Sequence, residues 1–111
     1  MKYESLKKMK RAIMPELVKF LGVKDPGKSE STYKTYASDS NYLINNEQDD
    51  AYIRFMRSDE DMPEIKNLIR TILIEHRGQA KVTDKGVDYY YEKLCWQREY
   101  IKKIGGIDSL V

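Results

Sequence analysis

Two helical apolar patterns in series, between Asp61 and Gly105, constrain this chain most. Ile65, Leu68, Ile69, Ile72, Leu73 and His76 recur at i, i+3, i+4, i+7, i+8 and i+11, the spacing of one helical face. Asp61 stands where a side chain can accept the first backbone N–H groups. Pro63 falls where a missing N–H costs nothing, and Glu64 favours the helix dipole. Arg77 and Gly78 give a C-terminal stop. A second stripe follows the capping residue Thr83: Val87, Tyr90, Tyr91, Leu94, Ile101 and Ile104, interrupted by Arg98 and closed by Gly105–Gly106. Gln79 to Val82, between the patterns, is an extended link or a short strand.

The 111 residues predict one domain, residues 1–111, able to bury roughly two-thirds of its unfolded surface. Hydrophobic residues at 41% and charged residues at 34% fit a folded globular chain rather than a disordered one. No apolar run approaches the ~20 residues that span a bilayer. The N-terminal stretch lacks the pattern of a secretory signal, and Glu4 and Glu16 argue against a mitochondrial presequence. Cys95 is the only cysteine, so no internal disulfide forms, and the reducing cytoplasm is the expected compartment. Cys95 reads as a small apolar side chain.

Charge is segregated. Residues 1–24 carry seven Lys/Arg against two Glu, and residues 25–62 carry four basic against nine acidic groups. Such blocks attract each other within one chain, between two copies, or toward separate partners.

In chain order, Leu6, Met9, Ile13, Leu17 and Phe20 predict a helix over 3–21, flanked by Lys7, Lys8, Lys10, Arg11 and Lys19. Pro15 predicts a kink or two short helices, and Gly22 a stop. Asp25-Pro26-Gly27 is a turn. Lys28 to Thr32 reads as a polar loop. Thr32 to Tyr36 suits strand or helix. Asp39 or Ser40 would cap a short helix through Tyr42, Leu43 and Ile44, followed by a turn at Asn45-Asn46. Asp49-Asp50 would cap a helix over 51–57, with a strand as the rival.

Catalytic signatures are scarce. The chain has no Gly-rich phosphate loop, no nucleophile elbow and no histidine pair at metal spacing. One histidine excludes most triad and zinc chemistry within one chain. Asp50 ahead of Glu64-Ile65-Lys66 resembles the acidic residue and E-x-K of metal-dependent nucleases, but theirs lies on a strand and this one opens a helix. The acidic run Asp59-Glu60-Asp61 lacks the ligand spacing of a calcium loop. Val82-Thr83-Asp84-Lys85-Gly86 resembles the opening of a helix in winged-helix proteins. The following helix is too long and no wing follows, so the resemblance implies no function.

The sharper pattern lies in the last helix. Tyr89, Lys93, Trp96, Tyr100 and Lys103 recur at i, i+4, i+7, i+11 and i+14, on a face distinct from the apolar stripe. Rings alternating with ammonium groups suit stacking on bases and contacts to phosphate, or the anchors of a protein interface. Packing of the same residues against the first helix is the structural alternative. Lys66, Arg70 and Arg77 add a basic side to the preceding helix, and Lys81 follows in the link. The expectation is a mainly α fold: a compact bundle of about four helices with an irregular middle and at most a short β element. The expected role is a non-enzymatic regulatory or binding protein, associated with nucleic acid through Lys66, Arg70, Arg77, Lys81, Tyr89, Lys93, Trp96, Tyr100 and Lys103. The alternative is a protein-interaction module, as a homodimer or an inhibitor of a larger partner. No metal, cofactor, membrane or small-molecule substrate is indicated.

Overall fold

A computed structural model describes the backbone of residues 3–43 and 49–110, and the side chains of 6–37 and 51–110. Among the described residues the chain is mainly helical and has no strand. The order is α1 (Tyr3–Lys24), α2 (Glu30–Leu43), α3 (Asp49–Arg57), α4 (Ile65–Thr71) continuing into a π turn (Ile72–His76), α5 (Asp84–Lys103) and α6 (Ile107–Leu110). Among the described residues there are six helices, against an expectation of about four. Thr32 to Tyr36 lies inside α2, and the 79–82 link has no strand. The Asn45-Asn46 turn and the side chains of Asp39, Ser40, Asp49 and Asp50 fall outside the described residues.

α5 is the central mast, and its stripe is where the sequence put it. Thr83 is extended and its side chain accepts from the Gly86 amide at 3.1 Å. Val87, Tyr90, Tyr91, Leu94 and Ile101 are buried, and the helix stops at Gly105 and Gly106, which hold φ of +129° and +87°. Ile104 departs from the stripe and reaches solvent. Around α5 the main core gathers Leu6 and Met9 from α1, Tyr52, Ile53, Phe55 and Met56 from α3, and Ile65, Ile69, Ile72 and Leu73 from α4 and the π turn. A second cluster joins Leu17, Val18 and Leu21 of α1 to Tyr33 and Ala37 of α2, with Trp96 and Tyr100 against it. Arg98 interrupts the stripe by design: it donates to the carbonyls of Phe55 and Glu60 and stacks on the Phe55 ring at 4.3 Å. The tail docks, with Ile107 buried and Asp108 paired to Arg57.

Several local expectations are corrected. α1 runs through Pro15 as one helix; Pro15 is exposed, so the Arg11 carbonyl it leaves unbonded lies on the solvent side. Gly22 does not stop α1. A Cβ there would stand 3.4 Å from the Tyr33 ring, so its smallness lets α2 approach. Ser29 starts α2 early, its hydroxyl accepting from Thr32 N at 3.2 Å. Asp61 does not cap α4; the helix opens through bonds from Ile65 N to the Met62 carbonyl and Lys66 N to the Pro63 carbonyl, both 2.9 Å. His76 is exposed, because the π turn carries it off the buried face. The Asp25-Pro26-Gly27 turn stands, with Gly27 at φ +100° and the Tyr33 hydroxyl bonded to the Asp25 carbonyl.

Lys10 is the largest surprise in the core. The spacing sets it beside the apolar stripe, yet it is wholly buried, 3.3 Å from Gln97 Oε1 and 5.0 Å from the centre of the Tyr52 ring. Burial pushes its pKa from 10.5 down to about 7. The unfolded chain therefore binds a proton at this amine between about pH 7 and 10.5 that the folded chain does not. Folding stability should rise with pH through that window, by at most about 1.4 kcal/mol per pH unit. Lys10→Met should remove this slope in urea titrations at pH 7, 8 and 9.

Candidate functional site

The aromatic–basic face of α5 points inward, onto the C-terminal half of α1 and the turn after it. Lys93 is 2% exposed. Its ammonium lies 3.2 Å from Asp25 Oδ2 and 3.3 Å from Glu92 Oε1, over the rings of Tyr89 (3.6 Å) and Trp96 (4.2 Å). This is a cation held by one buried-side carboxylate and two π faces, which replaces the water it loses. The Tyr89 hydroxyl donates to the same carboxylate at 3.0 Å, and that bond is the main reason Asp25 titrates below its usual 3.8. Tyr100 packs on Phe20 with centroids 5.4 Å apart, and Lys103 reaches the same ring at 5.8 Å. Lys93 thus offers nothing to an external ligand, and Trp96 and Tyr100 are half-buried against α1.

The basic side of α4 is tied to α5. Lys66 pairs with Asp88 at 2.9 Å and Arg70 with Asp84 at 2.7 Å, bracing the two helices. Lys81 stays exposed in the link.

Two of the predicted residues, Arg77 and Tyr89, do come together. They line a cleft of about 310 Å³ with Thr35 and Tyr36 of α2, Leu73, Gln79, and Gly86 and Tyr90 of α5. The π turn builds one wall. Arg77 N bonds to the Ile72 carbonyl, five residues back, and Gln79 N to the Leu73 carbonyl, both at 2.9 Å. Gly78 takes φ +67° to allow the reversal. Such turns recur at functional sites. The opposite wall is a tyrosine cluster: Tyr36 meets Tyr89 at 6.0 Å and Tyr90 at 5.3 Å, both edge to face. The Tyr36 hydroxyl is pushed up to about 12, first by burial and then by Tyr89, to which it is hydrogen-bonded. It remains a neutral donor at the head of a chain running Tyr36, Tyr89, Asp25, Lys93.

No protein-family model, no curated protein and no solved structure matches this chain.

Sequence reasoning missed Tyr36, Gln79 and Asp25. Tyr36 lay in the segment with two competing periods, and nothing local marked Asp25 as the counterion of a lysine 68 positions away. Cys95 is half-buried and burial raises its pKa, the opposite of an activated thiolate. Among the described residues no cluster of His, Cys, Asp and Glu could hold a metal ion.

Removing Lys93 should be costly. Lys93→Ala should lower unfolding free energy by about 2 kcal/mol in urea, through lost packing and an Asp25 without its cation. Asp25→Asn should also destabilise, and the double variant should lose less than the sum. Because Asp25 is depressed in the folded state, its contribution is present above about pH 4 and lost as pH falls below it. The wild-type acid limb should therefore be steeper than that of Asp25→Asn.

Proposed function

We propose that this protein is a non-enzymatic binding protein that holds single-stranded nucleic acid at the Tyr36–Tyr89 cleft. A base enters against the half-buried rings of Tyr36 and Tyr89, and the backbone phosphates lie along Arg77, Lys81 and Lys85. The observation that carries this reading is the pairing of an aromatic cleft with two unneutralised cations, Lys81 and Lys85. Lys81 follows the cleft residue Gln79 by two positions, and Lys85 immediately precedes Gly86. Both are exposed and form no ion pair among the described residues, while the nearby Asp84 is engaged by Arg70. Stacking on rings beside a positive track is sequence-tolerant and needs no catalytic group.

A protein-interaction role is favoured by a separate surface. An apolar groove on the outside of the α1–α2 hairpin adjoins the cleft at Thr35.

The test is fluorescence anisotropy with labelled single-stranded and duplex 10-mers at 50 and 200 mM salt. Single strands should bind more tightly than duplex. Lys81→Glu with Lys85→Glu should weaken binding about tenfold at low salt. It should also flatten the log–log salt slope by about 1.4, two single-strand phosphate contacts. Absence of binding at 50 mM salt would remove this reading.

A further inference from the structure

We infer that the groove between α1 and α2 seats an amphipathic helix of a partner protein, one whose apolar ridge ends in acidic residues. The groove holds about 790 Å³ and is lined by Met14, Pro15, Val18 and Gly22 from α1 and by Tyr33 and Lys34 from α2. Met14 to Gly22 runs about 12 Å along the helix, two turns, which matches two turns of a docked helix.

The backbone of the walls selects a helix over an extended peptide. Both walls are helices, whose amides and carbonyls are bonded within themselves, so the groove presents no sheet edge. An extended segment would leave its own backbone groups unpaired against an apolar floor. A helix satisfies its backbone internally and offers only side chains, the mode of helix-in-groove recognition.

Charge gives the occupant its polarity. The groove rim is neutral, because Lys19 pairs with Glu16 and Lys34 with Glu30, each at 3.4 Å. Beyond the groove, toward the start of α1, Arg11 and Lys8 precede Pro15 by four and seven residues, so they continue the same helical face. Both are exposed, and neither forms an ion pair among the described residues. An apolar trough that opens onto two unneutralised cations complements a ridge of apolar side chains ending in carboxylates. The groove shares Thr35 with the nucleic-acid cleft, but its α1 wall is its own: no residue of α1 lines the cleft.

The experiment is selection from a displayed library of 16-residue amphipathic helices against the full chain. The most enriched peptide is then synthesised and titrated by anisotropy. Enriched sequences should carry Asp or Glu at one end of the apolar stripe. The peptide should bind Lys8→Glu/Arg11→Glu at least tenfold more weakly and should lose binding to Pro15→Glu. Met14→Glu serves as a second groove variant should Pro15→Glu disturb folding by circular dichroism. Enrichment with no acidic bias, or affinity unchanged in Lys8→Glu/Arg11→Glu, would overturn the charge complementarity. No enrichment, or binding that survives both groove variants, would overturn the docking site. Displacement of the peptide by anionic lipid vesicles or by a single-stranded 10-mer in a Pro15-dependent manner would reassign the groove to that ligand.

Discussion

The fold turns on one buried ammonium. Lys93 sits at the middle of α5, and what accommodates it comes both from its own helix and from a distant turn. Asp25 arrives from the turn after α1, while Tyr89 and Trp96 flank it on its own helix. A lysine at this depth is tolerable only with an anion and polarisable surfaces around it, so its presence fixes where the α1–α2 turn must lie. Once that turn is placed, Phe20 meets Tyr100, Leu17 and Leu21 reach the second cluster, and α2 closes over Gly22. The alternation of rings and cations, which in the sequence looks like a surface for something else, mainly joins the last long helix to the first.

How much was legible followed from how local each cause was. The α5 stripe, its Thr83 cap and its glycine stop depend on neighbours within a turn or two, and they stand as read except at Ile104. The helix over 51–57 is of the same kind. Lys10 was illegible because its burial depends on Tyr52 and Gln97, 42 and 87 positions away. Gly22 read as a stop because glycine usually ends helices; its use here is close approach of a ring from α2. Pro15 predicts a kink or two short helices because the missing bond is costly in a core, and the chain stays one helix because on an exposed face the orphan carbonyl has solvent.

The candidate site divides in the same way. Tyr89 and Arg77 were both named from composition and spacing, and they meet in the cleft. Their meeting could not have been foreseen, since it needs the turn after Thr71 to widen. Lys66 and Arg70 were named as a basic stripe, yet the acidic residues that take them up, Asp84 and Asp88, lie one helix later at the same spacing of four. That complementary pair of pairs was present in the sequence and would have predicted the bracing of α4 against α5.

A π turn is an α-helix that carries one surplus residue. Were one position between Ile72 and His76 deleted, the ladder could close as ordinary α-helix, and everything after it would swing by about 100° around the axis. Ile65 and Ile69 would keep their places in the core, whereas Arg77 and Gln79 would leave the wall they now form. The recess beside Tyr36 is thus a matter of register: its existence hangs on a single codon's worth of chain, placed where the hydrophobic packing has already done its part.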